Sequence, residues 1–255
     1  MSTGEMEIPN GRIEYLREYC GSSIYIKRDD LIPFSFGGNK VRIAEELLKE
    51  IRSGGYTALI SYGSPTSNMN RAAADLAKRE GLKCYVIIKL DEDRRQNAEE
   101  KDCSRERTAG VSESPEGTVR PVPENERLVR ESGAEIIYCN AASGSDIKAC
   151  VESVLELSRS RGEKPYYIYG DSFGKGNEAV LMRASYKEYA EIRDFERVFE
   201  RGFEQNFGRA SGPESAGSSG SAGSAFDWIV LTVGTGMTIS GLAAAMEEAG
   251  TARRT

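Results

Sequence analysis

The spacing of apolar positions changes several times along the chain, and each change marks an element. After Lys40, the residues Ala44, Leu47, Leu48 and Ile51 recur at i, i+3, i+4 and i+7, and Gly54-Gly55 ends the run, which predicts an amphipathic helix. The continuous apolar run 57-TALISY-62 predicts a buried strand, 63-GSPTSN-68 a turn, and 69-MNRAAADLAKRE-80 a helix ended by Gly81. Strand 83-KCYVIIK-89 follows. Further on, the pattern predicts helix 124-ENERLVRES-132, strand 135-EIIYC-139 and helix 146-DIKACVESVLELSRS-160. Then come strand 166-YYIY-169, turn 170-GDSFGKG-176 and a helix from about Asn177. A last unit reads as strand 228-WIVLTV-233, loop 234-GTGMT-238 and helix 239-ISGLAAAMEEA-249. Strands alternating with helices predict an α/β fold, a parallel sheet covered by helices.

Two stretches carry no such pattern. Residues 91–120 are charged and nearly free of large apolar groups, so they read as a mobile insertion unable to bury enough surface to offset ordering. Residues 209–225 are rich in Gly and Ser and read as a flexible linker.

Composition narrows the function by exclusion. A net charge of -6 in 255 residues argues against a general affinity for nucleic acid or an anionic membrane. No apolar run reaches the roughly 18–20 residues of a membrane span, and the N-terminal residues lack a signal-peptide layout, so a cytoplasmic location is expected. The five cysteines form no C-x-x-C pair, which argues against a disulfide framework or a cysteine metal site. Histidine is absent altogether. That removes Ser-His-Asp and Cys-His catalysis, the H-E-x-x-H metal site and histidine as a general base. Chemistry here has to use lysine, carboxylates, hydroxyls, thiols or a cofactor; no metal site is expected.

Candidate groups cluster where strands hand over to helices, the edge at which open α/β sheets bind ligands. Gly234, Thr235, Gly236, Met237 and Thr238 fit a phosphate cradle, since glycines admit close approach and a helix N-terminus favours an anion. The loop lacks the third glycine of G-x-G-x-x-G, and neither GGNK nor GDSFGKG has P-loop spacing, so a phosphate monoester suits it better than a dinucleotide or triphosphate. Ser67 and Asn68 occupy another such turn, where they can serve as a helix cap or face the same ligand. Lys40, after Phe36-Gly37-Gly38-Asn39, starts a helix at the dipole end that disfavours a cation. Partial burial there would favour the free amine that Schiff-base chemistry needs. Phosphate cradle, nucleophilic lysine, Ser-Asn pair and missing histidine together point to pyridoxal 5'-phosphate.

The segment KRDDLIPFSFGGNKVR resembles the lysine segment of the D-cysteine desulfhydrase and 1-aminocyclopropane-1-carboxylate deaminase family, within the tryptophan-synthase-β-like (fold type II) pyridoxal phosphate enzymes. SYGSPTSNMNRAAADLAKREGLKC is similar to the family's serine-asparagine helix, Arg71 included, and ENERLVRESGAEIIY to its next helix-strand unit. KPYYIYGDSFGKGNEA resembles the chain's return to the large domain, and DWIVLTVGTGMTISGL the phosphate loop.

The resemblance implies two domains of open parallel sheet with helices on both faces. Residues 1–50 and 165–255 would form a large cofactor-binding domain and 51–164 a small one. It implies that Lys40 binds the cofactor covalently and moves protons. Asn68 would hydrogen-bond the cofactor's phenolic oxygen, and Ser67 would contact the substrate carboxylate or assist proton movement. Gly234, Thr235, Gly236, Met237 and Thr238 would hold the phosphate. It further implies a small amino-acid substrate and a homodimer, with α,β-elimination to pyruvate, ammonia and sulfide expected first and ring opening of 1-aminocyclopropane-1-carboxylate second. Two departures are visible. Thr66 stands where the family usually has glutamine. The family also continues past the phosphate loop through further strands and helices, so the large domain is expected to be incomplete here, which leaves an inactive relative as a further alternative.

Overall fold

The computed structural model describes residues 11–90, 122–141, 143–207, 226–231 and 236–250. They divide into two compact units, Leu48–Asn177 and a discontinuous one made of Met1–Leu47 with Glu178–Thr255. The insertion expected at 91–120 and the linker expected at 209–225 lie outside the described residues.

The unit Leu48–Asn177 is built on a four-stranded parallel sheet. β3 (Ala58–Gly63), β4 (Lys83–Lys89), β5 (Glu135–Cys139) and β6 (Pro165–Tyr167) lie in the order β5-β4-β3-β6. Every residue of β3 from Ala58 to Ser61 is buried, as expected of a strand covered on both faces. One face, with Ala58, Ile60, Tyr85 and Ile87, packs against Val151 and Val154 of α4 (Gly144–Ser160). On the other side, Ser61 donates to Asn70 Oδ1 at 2.6 Å, which places α2 (Asn68–Glu80) there. Gly81, at φ 68, ends α2 as the sequence predicts. α3 (Glu124–Glu131) packs on α2 and leads into β5. α4 is held by a reciprocal capping box between Ser143 and Asp146.

β6 closes the sheet at the edge beside β3. It pairs in parallel with β3, Ala58 opposite Pro165 and Ile60 opposite Tyr167, so residues 165–177 belong with this sheet and not with the other unit. The chain passes between the two units at 47/48 and 177/178. β6 is also shorter than the predicted 166–169, because the chain turns at Ile168–Gly170.

The discontinuous unit opens with a hairpin that the apolar pattern does not predict: β1 (Arg12–Tyr19) and β2 (Ser22–Arg28), antiparallel. Cys20 and Gly21, at φ 51 and 75, supply the two positive angles of a type I′ turn. Tyr25 meets Phe195, Phe199 and Phe226 edge-on, with ring centroids 5.3 to 5.9 Å apart. α1 (Asn39–Gly54) crosses the boundary between the units. α5 (Glu178–Phe207) and α6 (Met237–Glu248) pack through Tyr189, Leu242, Ala245 and Met246. They approach so closely at Gly241 that a Cβ there would lie 2.6 Å from Ser185 Cβ. Of the strand expected at 228–233, residues 232 and 233 lie outside the described residues; Trp228–Leu231 is not paired with any strand among the described residues, and Val230 is 92% exposed.

Candidate active site

Backbone hydrogen bonds build the turn before Lys40. Asp29 O accepts from Ile32 N and, at 2.8 Å, from Gly38 N, while Gly37 N donates to Phe34 O at 2.8 Å. This folding-back forces positive φ on four successive residues: Ser35 (45), Phe36 (58), Gly37 (70) and Gly38 (87). At Gly37 a Cβ would lie 2.4 Å from Asp29 O, so glycine is sterically required as well as conformationally favoured. Such a run of left-handed backbone is costly, and costs of this kind concentrate at functional sites.

Asn39 and Lys40 then open α1, whose first turn holds no acidic residue. Lys40 makes no ion pair among the described residues. Burial holds its amine below the usual lysine range, and the nearby Glu188 carboxylate offsets this only in part. The helix start works in the same direction as burial. The result is an amine that gives up its proton more readily than an exposed lysine does.

Under the first turn lies a paired charge cluster. Arg42, with a side chain only 3% exposed, donates to Asp29 (Nη2–Oδ1 3.0 Å, Nε–Oδ2 3.1 Å) and to both oxygens of Glu191. Lys27 bridges the same acids at 2.5 Å and 2.8 Å, and Gly11 N donates to Glu191 Oε2. Two cations thus face two carboxylates, the condition under which buried charge is tolerable. Burial alone would raise the Asp29 carboxyl, but the bonds from Arg42 and Lys27 hold it below the ordinary range. Glu188, beside this cluster, goes the other way: burial and the Asp29 charge push its carboxyl up. The cluster pins α1 two residues beyond Lys40.

Of the expected phosphate loop, Gly234 and Thr235 lie outside the described residues. Gly236, at φ 82, caps α6, and Met237 is its first residue. The Nδ2 of Asn39 donates to Thr238 Oγ1 at 2.8 Å. The Lys40 turn and the start of α6 are therefore brought together within one unit.

Ser67 and Asn68 belong to the other unit, on the loop leaving β3. β3 and β6 flank the point where the strand order reverses, the place where open α/β sheets present a ligand crevice. Ser67 caps α2, its Oγ accepting from Asn70 N at 3.2 Å, and its hydroxyl proton stays available to donate. Gly63 permits this packing, since a Cβ there would lie 2.9 Å from Ser67 Oγ. Asn68 is exposed, with its carboxamide oxygen held by Arg71 and by Asn125 of α3. Asn125 and Glu188 were not singled out by sequence reasoning. Each lies in a charged helical run that reads as a solvated face, and only the fold brings them to these positions.

Within the discontinuous unit, an amine held below the usual lysine range behind a glycine turn, and a helix N-terminus opened by glycine and carrying a hydroxyl, suit a phosphate-bearing aldehyde such as pyridoxal phosphate; the exposed Asn68 carboxamide belongs to the other unit. The sequence profile of the family described as pyridoxal-phosphate dependent enzyme matches residues 2–255, and the chain belongs to this family. Its fold is the α/β fold of the type II enzymes, and the family's cofactor is pyridoxal phosphate.

Among individual relatives, the chain is 38% identical over 80 residues to the D-cysteine desulfhydrase of Yersinia enterocolitica, covering 31% of this chain and 24% of that protein. It is 40% identical over 79 residues to the D-cysteine desulfhydrase of Salmonella paratyphi B, covering 30% and 24%. A solved ACC deaminase homologue superposes with a TM-score of 0.64 at 23% identity, over 97% of this chain and 59% of that one. O-ureido-L-serine synthase superposes with a TM-score of 0.57 at 16% identity, over 96% and 58%. At these identities the superpositions speak for the fold alone. The matched region spans about a quarter of the length of the desulfhydrases.

Among the described residues no helix is long and apolar enough to cross a membrane, and no cluster of His, Cys, Asp or Glu could hold a metal ion.

Proposed function

We propose that the chain carries the site of a pyridoxal-phosphate-dependent lyase that eliminates the β-substituent of a small amino acid, as a D-cysteine desulfhydrase does, giving pyruvate, ammonia and sulfide from cysteine and water. The observation that carries this reading is Lys40: a partly buried amine without an ion pair among the described residues, presented by a turn in which Gly37 leaves no room for a side chain. Pyridoxal phosphate, when bound, withdraws electrons from the substrate's Cα. The side chains do the rest. Lys40 Nζ attaches the cofactor and moves the Cα proton. Ser67 Oγ, already an acceptor toward Asn70 N, donates its proton to the substrate carboxylate. Asn68 Nδ2 donates to the cofactor's phenolic oxygen. Thr238 Oγ1 accepts from Asn39 and so has its hydroxyl proton left for the phosphate, alongside Gly234, Thr235, Gly236 and Met237.

The similarity to desulfhydrases favours elimination; ring opening, which the resemblance of the lysine segment implies, is the second reading. A cytoplasmic homodimer belongs to the same proposal. Acidic composition and four free cysteines among the described residues support the location. Exposed Tyr15, Tyr19, Trp228 and Val230 support cover by a second copy.

The test is the visible spectrum of the purified chain with added pyridoxal phosphate, beside Lys40→Ala. A cofactor band in wild type and none in the variant is expected; D-cysteine should then release sulfide and pyruvate. A four-carbon keto acid from 1-aminocyclopropane-1-carboxylate, without sulfide from cysteine, would favour the second reading. No band at saturating cofactor would mark an inactive relative.

A further inference from the structure

Four hydrogen bonds join Thr66, Asn68, Arg71 and Asn125. Arg71 Nη1 lies 2.9 Å from Asn68 Oδ1 and 2.9 Å from Asn125 Oδ1. Asn125 Nδ2 lies 2.7 Å from Thr66 O and 3.0 Å from Asn68 Oδ1. A guanidinium can only donate, so both carboxamide atoms facing Arg71 must be oxygens. This fixes the orientation of two amides that could otherwise be turned either way. It also leaves Asn125 Nδ2 facing two acceptors, as it should.

We propose that Asn125 and Arg71 are positioning residues that lock the Asn68 carboxamide with its oxygen turned onto them and its NH2 group turned outward, as a fixed donor for the cofactor's phenolic oxygen. The inference rests on the role given to Asn68 above. Both lone pairs of Asn68 Oδ1 are engaged, while its Nδ2 has no partner among the described residues. An ionised phenolic oxygen only accepts, so an unrestrained Asn68 would spend part of its time presenting oxygen to oxygen. Thr66 contributes its backbone carbonyl, so the departure from the family's glutamine at that position leaves the clamp intact. α3 is secured to α2 at its other end as well, where Ser132 Oγ donates to Asp75 at 2.6 Å. Asn125 is therefore delivered by a helix anchored at both ends, not by a loose loop.

The test is a pH titration of the cofactor's visible absorbance in the loaded full-length chain, for wild type, Asn68→Ala, Asn125→Ala, Asn125→Asp and Arg71→Lys. Losing one hydrogen bond to the phenolic oxygen should move the midpoint of Asn68→Ala by roughly half a pH unit or more. Asn125→Ala should shift it in the same direction, and the double variant no further than Asn68→Ala alone. Asn125→Asp is the sharper probe. It keeps size and the acceptor for Arg71 but turns an oxygen onto Thr66 O and Asn68 Oδ1, so it should shift the midpoint at least as far. Arg71→Lys, a single point donor in place of a planar fork, should shift it too. Wild-type midpoints in both Asn125 variants, with Asn68→Ala displaced, would overturn the clamp and leave the role of Asn68 standing. A wild-type midpoint in Asn68→Ala as well would overturn both. Absence of any band in wild type would sink the cofactor reading and the clamp with it.

Discussion

Asn39 Nδ2 donates to Thr238 Oγ1 at 2.8 Å, joining residues 199 positions apart in the chain. Asn39 is the residue immediately before Lys40, and Thr238 lies in the first turn of α6, so one hydrogen bond couples the lysine's turn to the expected phosphate loop. Removing either partner should cost about 1 kcal/mol of stability. Asn39→Ala and Thr238→Val should each weaken cofactor binding, and the double variant should lose less than the sum of the two. A double-mutant cycle on the cofactor dissociation constant, followed by absorbance, measures this coupling directly. Strict additivity would show that the bond does not connect the two loops energetically.

The two glycines before Lys40 have different tasks, and substitution separates them. Gly38, at φ 87, has open space where a Cβ would sit, so Gly38→Ala suffers only the left-handed penalty of about 1–2 kcal/mol. Gly37, at φ 70, adds the clash with Asp29 O and the Asp30 carbonyl, an overpacking cost of about 1–3 kcal/mol beyond the conformational one. Gly37→Ala should therefore melt lower than Gly38→Ala and lose more of the cofactor band. Equal melting temperatures would mean that the turn relaxes around the added methyl.

This contrast shows what a sequence can carry. A Gly-Gly pair before a helix announces a turn needing unusual backbone, and Lys40 stood out because a cation at a helix start runs against electrostatics. β3, β4, α1 and α2 were readable because their apolar periods are strong and each is bounded by glycine. The β1-β2 hairpin was not, since it is half-solvated on both sides and alternates raggedly around a bulge between Tyr15 and Arg17. Trp228–Leu231 differs in the opposite way: its apolar run reads as a strand, yet no strand among the described residues pairs with it. The placement of residues 165–177 depended on pairing between β3 and β6, more than 100 positions apart, which no local pattern encodes. Asn125 lies among charged residues and acquires meaning only when α3 packs on α2.

Lys40 should also leave a signature in stability against pH. Its folded pKa is depressed by burial from the ordinary lysine value of 10.5, so between the folded value and 10.5 the unfolded chain binds more protons. Stability tied to this residue is therefore fully present only above 10.5 and is lost as pH falls through the folded pKa. In the cofactor-free chain, Lys40→Met should melt higher than wild type at pH 7, and the gap should close as pH rises toward 10.5. Glu188 has the opposite sign. Its carboxyl is raised above 4.5 by burial and by Asp29, so its stabilising contribution is present below 4.5 and lost as pH rises through the folded value. Glu188→Gln should thus raise the melting temperature at pH 7 and have little effect at pH 4. Because the Glu188 carboxylate is what partly restores the Lys40 charge, Glu188→Gln should also make the free amine more available. Cofactor attachment would then begin at lower pH than in wild type. Melting curves at pH 4, 7 and 10 and the pH dependence of attachment test both groups. A Lys40→Met gap that stays constant up to pH 10.5 would show an amine titrating as an ordinary exposed lysine, and would remove the main support for its catalytic role.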